Sequence, residues 1–524
     1  MAVKRHRSAK ANRDHEVVVI GAGIAGIGIA ARLKLAGIDD FVVLERSGDI
    51  GGTWRDNAYP GVAVDVPAWG YQFSFELNPE WSRLFPPGAE IKAYLDHCAD
   101  KYGLRPHVRL LTEVRDVAYD EQTALWTVQT SNGPVRARYA VIAIGPFAEP
   151  KLPDIPGLDT FEGELVHTSK WSPEVNLAGQ RVAVIGTGAS AVQLVPKVVD
   201  QVEHLHVFQR TPIWILPKPD MPLKAIGPLM HSLPLFNRVA RLGTGAALEA
   251  FMVALFVYYR ESQAMANAST LISKLHLRLQ VPDAGIRDRL SPKYAFGCKR
   301  PGLSNDYLRA FARQNVELVT DGIERITPRG VKTVDGKERD VSTLILATGF
   351  AVADPERMPP VKIAGKGGRD LHAHWNENRP QAYEGASVPG YPNLFFVFGP
   401  YAFNAGSYTN MVENQATHLI RVITEARRRG TSVVEVTEEA TARYTAEILE
   451  RMEHTIFKCA DCSGSNSYYF DEHGVTPFIR PQSTLQSWWR SKKFPLNDYQ
   501  FSVSPSESER TNAPGGPKFS LMSN

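Results

Sequence analysis

Two stretches of the chain share one pattern of apolar and polar positions. Residues 16–20 form a β-branched run that ends in Gly21-Ala22-Gly23-Ile24-Ala25-Gly26. A helical stretch follows, and then a second apolar run, 41–44, closed by Glu45. Residues 181–185 repeat this before Gly186-Thr187-Gly188-Ala189-Ser190-Ala191, and the apolar run 204–208 is closed by Gln209 and Arg210. Each stretch predicts strand, glycine turn, helix, strand. Apolar runs at 141–145 and 344–349 predict two further strands ending in glycine, which read as crossings between domains, and Pro150, Pro153 and Pro156 follow the first. Another strand is expected over 393–399, and the polar opening 407–414 starts a helical pattern that runs to Arg429. The most apolar stretch, 246–259, contains Glu249 and is shorter than the roughly 20 residues of a bilayer-spanning helix, so a buried helix is expected there. Around it, Phe236, Leu248, Phe251, Met252, Leu255 and Phe256 recur at helical spacing, which favours a core role over a substrate pocket.

The repeated unit carries chemistry. In a dinucleotide-binding turn the first glycine makes the tight bend, the second lets the backbone approach a pyrophosphate, and the third, Gly or Ala, allows close helix packing. The pyrophosphate rests on the positive helix N-terminus. Gly21, Gly23 and Gly26 fill those places in the first unit, and Gly186, Gly188 and Ala191 in the second, with Thr187 and Ser190 between them. The residue 24 positions after the first glycine differs, being Glu45 in one unit and Arg210 in the other. A carboxylate there accepts from ribose hydroxyls, whereas a cation accommodates a 2′-phosphate. The first unit is therefore expected to hold FAD and the second NADPH. Asn410 and Met411, at the start of the late helix, are expected to face the flavin, because a helix N-terminus favours negative charge. The fold class is α/β, with two Rossmann-like dinucleotide-binding domains.

Length and composition agree with a large globular chain. The 524 residues suggest about three domains, and 43% hydrophobic with 22% charged residues excludes wholesale disorder. Fifty-nine Lys and Arg against 56 Asp and Glu leave a net charge of +3, so no nucleic-acid partner is expected. Four cysteines, Cys98, Cys298, Cys459 and Cys462, cannot build a disulfide framework, and reduced thiols and a cytoplasmic location are expected. Cys459-Ala-Asp-Cys462 has the spacing of half a zinc site or a redox pair, but no second pair of that kind exists, and no metal site is expected. The basic N-terminus lacks an apolar cleavage segment and reads as a solvated tail.

Further residues carry a resemblance. Phe161-Glu-Gly163-Glu-Leu-Val-His167-Thr-Ser-Lys-Trp171 lies between the two nucleotide motifs and resembles the fingerprint of type I Baeyer–Villiger monooxygenases, with Ser172 where the family has Pro or Asp. Gly51-Gly52-Thr53-Trp54, Tyr59-Pro60-Gly61, Asp65 and Lys299-Arg300-Pro301 are similar to other motifs of that family, and the resemblance covers about residues 16–499. It implies that NADPH reduces FAD and that reduced flavin captures O2 as a C4a-peroxide. One oxygen atom is then inserted beside a ketone carbonyl to give an ester or lactone. It also implies that Arg300 is the active-site cation and Asp65 the carboxylate that orients it. Gly52, Thr53, Trp54, Tyr59 and Asp65 would line the flavin site, Lys299 would join Arg210 and Thr211 at the 2′-phosphate, and His167 would be a hinge rather than an acid or base.

Two rivals share the frame. Disulfide reductases of similar architecture carry a cysteine pair near the flavin or within the NADPH domain, and none stands between Trp54 and Asp65. Flavin-containing N- or S-monooxygenases, acting on amines or sulfides, differ in lacking the Trp171 fingerprint and the Arg300 motif. The expected domains are 1–150 with 385–524 for FAD and 151–384 for NADPH. The latter includes a helical insertion, 222–297, that by resemblance walls the substrate site. A mobile tail is expected over 502–524. The partners implied are a small-molecule ketone and O2, with no membrane span and no obligatory protein partner.

Overall fold

In the computed structural model, residues 13–352, 359–404 and 406–512 are described. The solvated tail expected at the N-terminus therefore lies almost wholly outside the described residues. Two parallel cores organise the molecule. His15–Ile20 is flanked in parallel by Phe41–Leu44 and Val135–Ile142, and Leu394–Phe396 pairs with the far side of Val135–Ile142. Where these runs pair in parallel, at residues 17–20, 41–44 and 139–142, they are apolar and buried because a parallel sheet is covered on both faces. The second sheet is wholly parallel, in the order Val316–Val319, His204–Phe208, Arg181–Ile185, Thr343–Leu346, Glu164–His167. In each sheet the glycine turn follows a strand flanked on both sides, so the crevice at the strands' carboxyl ends is open to a ligand.

Two segments cross between the cores, and they are zipped together. Lys151 N donates to Gly349 O (2.8 Å) and Ala351 N to Glu149 O (3.1 Å). The chain rejoins the first sheet earlier than the boundary expected at 385, since Lys362–Ala364 pairs with Val114–Asp120. Of the mobile tail expected over 502–524, residues 513–524 lie outside the described residues, and 502–512 are more ordered than expected. Tyr499–Ser502 pairs with Val433–Val436, Ser504 N donates to Ser432 Oγ (2.8 Å), and Pro505–Asn512 is helical, held by an Arg138–Glu507 ion pair at 2.8 Å. A Ser-rich composition read as a tail is overruled by one sheet edge and one ion pair.

The cysteines depart from expectation. Cys298 and Cys462 form a disulfide across 164 residues, so the expectation of reduced thiols gives way at these two positions. Two segments distant in sequence meet at this point, which spacing cannot show. Cys459 is free and exposed, whereas Cys98 is buried and its thiol is pushed up to about 12 by desolvation.

The helical insertion runs Pro234–Leu248 and Glu249–Val253 into Ala254–Phe256, turns, and returns as Gln263–Gln280. The expected buried helix is only partly so. Met252, Leu255 and Phe256 are core residues, Phe236, Leu248 and Phe251 are half-buried, and Ala246, Ala247 and Ala250 are exposed. Leu235–Phe256 is also longer than the apolar stretch suggested, at 22 residues, and its most apolar 18-residue window has a mean hydropathy of 1.5 with 22% of it buried.

Candidate active site

The first glycine turn is built by contact. Gly21 has φ +100°, and a Cβ on Gly26 would lie 1.8 Å from Gly21 O, so neither position admits a side chain. The helix Ile24–Leu35 begins at Gly23 with no side-chain cap, and Ala189–Val198 begins the same way at Gly188. Both leave their first N–H groups free of side-chain acceptors, as a pyrophosphate needs. Gly51 N donates to Ala22 O (2.9 Å), and a Cβ on Gly52, at φ +53°, would meet Gly23 Cα at 3.0 Å. The Gly51-Gly52 pair thus closes against the first turn.

Both turns open on one cavity of about 2500 Å³, lined by Gly21, Gly23, Glu45, Gly52, Thr53, Trp54, Gly186, Gly188, Ser190 and Arg210, among others. That exceeds the roughly 300–1,000 Å³ of an ordinary ligand site and suits two dinucleotides with a substrate. Glu45 is buried. It accepts from Ala22 N (2.9 Å), Ser47 N (3.0 Å) and Arg55 Nη1 (3.2 Å), with carboxylate lone pairs remaining for a ribose. Arg210 is exposed on the cavity wall beside Lys299, whose ammonium is brought down to about 8 by burial and then by the repulsion of Arg210. Thr211 is already engaged, since its carbonyl accepts from Thr187 Oγ1 (2.8 Å) and its Oγ1 from Asn466 Nδ2 (2.7 Å).

Between the two turns stands Arg300. Its Nε donates to Asp65 Oδ2 at 2.6 Å and its Nη2 to Asp65 Oδ1 at 3.1 Å, a side-on two-point pair. Burial opposes the charge, but Asp65 outweighs it and moves the guanidinium's titration above its usual range. Tyr71 accepts from Trp54 Nε1 (3.2 Å), and Tyr469 is buried beside Arg300.

The other sequence-derived residues fall in three places. Tyr59 Oη donates to Gln193 Oε1 (2.8 Å), burial pushes it to about 12, and it ties the first core to the second core's helix. Gly26 and Ala191 sit beneath the turns rather than on the cavity wall. Asn410 accepts from Arg241 Nη2 (2.9 Å) and Met411 is buried in the core; among the described residues at that helix start, Tyr408 lines the cavity instead. The fingerprint lies outside the cavity. A Cβ on Gly163 would meet Ser342 O at 2.5 Å, Phe161 rests against that glycine, and Trp171 packs on the second core. His167 is buried, lowered in pKa by desolvation, bonded through Nδ1 to Ser169 Oγ (2.8 Å), and set edge-on to Phe350 of the second crossing.

Sequence reasoning missed Gln193, Lys218, Asn466, Tyr468 and Tyr469, all of which line the cavity. Gln193 sits on the nucleotide helix and was in principle findable by helical spacing from Gly186. Nothing local marks the 462–470 loop, which reaches the site because Cys298 and Asn466 tether it.

Known proteins agree with this geometry. A family profile described as pyridine nucleotide-disulphide oxidoreductase matches residues 18–231. A Baeyer–Villiger monooxygenase of Streptomyces coelicolor is 37% identical over 491 residues, covering 92% of each chain, and one of Pseudomonas aeruginosa is 35% identical over 511 residues, covering 96% of this chain and 95% of its own. The crystal structure of OTEMO in complex with FAD and NADP superposes with a TM-score of 0.82 at 26% identity, covering 94% of this chain and all of that one. With such identity over nearly its whole length, the chain belongs to the Baeyer–Villiger monooxygenase family.

Proposed function

We propose that Arg300, oriented by Asp65, is the catalytic cation of this FAD- and NADPH-dependent monooxygenase, which inserts one oxygen atom of O2 beside a ketone carbonyl to give an ester or lactone. The observation that carries the assignment is the two-point Arg300–Asp65 pair inside a cavity walled by both glycine turns. Bound FAD, reduced by NADPH, supplies the two electrons that activate O2. The chain's own residues bind, orient and stabilise. Gly21, Gly23 and Gly52 form the cradle, Glu45 accepts from the ribose, and Arg210 with Lys299 takes the 2′-phosphate. Asp65 occupies Nε and Nη2 of Arg300, which leaves the Nη1 edge to face an oxyanion on the carbonyl carbon under attack. A guanidinium that stays charged through the working pH range suits that task better than an ammonium, whose pKa moves readily on burial.

The expected units are an FAD unit around the first sheet, an NADPH unit around the second, and His167 with the paired crossings as the hinge between them. The cytoplasm, where NADPH is available, is the proposed compartment.

Arg300→Ala tests the assignment. NADPH should still bleach the flavin anaerobically, because hydride transfer needs only stacked rings. In air, ester formation should fall about a hundredfold or more, the loss of one fixed cation costing roughly 3–4 kcal/mol, with NADPH oxidation ending as hydrogen peroxide. Normal ester yield would remove Arg300 from the mechanism and move the activity towards nitrogen or sulfur oxidation.

A further inference from the structure

Apart from its core segment around Met252, Leu255 and Phe256, the helical insertion buries polar residues and exposes apolar stripes. On Pro234–Leu248, Asn237 is buried and donates to Met230 O (3.1 Å), and Arg241 turns inward to Asn410, while Leu235, Val239 and Leu242 are exposed at i, i+4 and i+7. On Gln263–Gln280 the buried side carries Ser269, Ser273 and Gln280 beside Ala266 and Leu277, with Ser273 Oγ bonded to Ile215 O (2.8 Å) and Gln280 Nε2 to Asn305 O (2.9 Å). Leu271, Leu275 and Leu279 stand exposed at one-turn spacing, and Leu279 keeps 77% of its surface. A helix packed on the apolar core of a protein in water shows the reverse arrangement. Scattered exposed leucines are ordinary, but two periodic stripes on consecutive helices are not.

A third apolar element is joined to this one. Glu249, in the insertion, accepts from Thr484 N (3.0 and 3.2 Å), and Tyr258 Oη donates to Gln486 Oε1 (3.2 Å). The helix Thr484–Lys493 so anchored exposes Leu485, Trp488 and Trp489, with Lys492 Nζ 3.9 Å from the Trp488 ring centroid and Lys493 Nζ 5.9 Å from that of Trp489. Tryptophan beside lysine suits the headgroup boundary of a bilayer, where an apolar body and a polar tip are both satisfied.

We infer that the helical insertion and the Trp488–Trp489 helix form a docking surface that lies on an anionic phospholipid membrane. Charge selects this occupant. Residues 222–297 carry nine Lys and Arg against four Asp and Glu, a net +5 in a chain whose total is only +3. An anionic leaflet attracts such a segment, whereas a second copy docked through the same face would set like charges against each other. Exposed leucines then enter the acyl boundary while Lys274 and Arg278, exposed one turn apart, reach the headgroups.

The test uses the FAD-loaded full chain in vesicle flotation. It should float with phosphatidylglycerol/phosphatidylethanolamine vesicles and partition about tenfold or more weakly onto phosphatidylcholine. The double variant Leu275→Glu with Trp489→Glu should lose about a hundredfold in partition. Its flavin content and NADPH oxidation with a water-soluble ketone should not change. As a check without substitution, vesicles with brominated acyl chains should quench the wild-type tryptophan fluorescence. No flotation on anionic vesicles overturns the inference, as does flotation that the double variant leaves intact. A chain that stays in the supernatant as a dimer, and that the same variant returns to monomer, would assign the face to a second copy instead.

Discussion

The two nucleotide units use one pattern of chain in different states of closure. In the first, Gly26 touches Gly21 O so closely that a methyl group cannot enter, and Glu45 is buried among three protein donors. In the second, the first glycine is as tightly held, a Cβ on Gly186 meeting Ala347 O at 2.4 Å, but a Cβ on Gly188 would meet nothing within 4 Å, Ala191 already carries one, and Arg210 is exposed. The first is a preformed, protein-satisfied cradle, suited to a cofactor that stays. The second is open and electrostatic, suited to one that arrives and leaves. Affinity at such a site rests on charge-assisted bonds that only the 2′-phosphate completes.

The sharpest way to break this contrast is at the glycines. Gly26→Ala should strip the flavin from the purified protein and cost roughly 3 kcal/mol of stability, because helix Ile24–Leu35 must move off its strand. Gly188→Ala should keep full flavin absorbance and an unchanged melting temperature, raising only the KM for NADPH. Visible spectra and thermal unfolding of the two variants decide it, and equal effects would end the distinction.

Next in size is Arg210→Ala. The KM for NADPH should rise roughly a hundredfold while that for NADH barely changes, since two charge-assisted bonds to phosphate are lost in one case and none in the other. Steady-state kinetics with both cofactors measures this, and an equal rise for both would show that Arg210 does not read the 2′-phosphate.

The smallest expected effect comes from Lys299. Its pKa is held near 8, by burial first and Arg210 second, so it is cationic below that value and loses its charge above it. The kcat/KM for NADPH should therefore fall about fivefold between pH 8 and pH 9, with that for NADH level over the same interval. Lys299→Arg should flatten the profile, because a guanidinium does not titrate there. A slope that survives in Lys299→Arg would place the titrating group elsewhere.

Much of this molecule was written locally. Both strand–turn–helix units, the Glu45 and Arg210 difference, and the family fingerprint depend on residues close together in sequence, where backbone geometry and short-range chemistry fix the outcome. Arg300 and Asp65 were individually legible only through resemblance. That they meet at 2.6 Å across 235 positions is a product of the fold. The same holds for the 462–470 loop, brought to the cavity by Cys298 and Asn466, and for Tyr408 taking the wall position expected of Asn410 and Met411. Periodicity correctly gave the insertion as helix and residues Met252, Leu255 and Phe256 as core, but it did not mark the separate stripes of Leu235, Val239 and Leu242 and of Leu271, Leu275 and Leu279 that the fold leaves exposed. A hydrophobic stripe states only that it must be covered. Whether by protein or by another phase is decided by what the remaining chain packs against it, and here the neighbouring segments offered Asn410 Oδ1 and the carbonyls of Met230, Ile215 and Asn305, which drew the polar side inward.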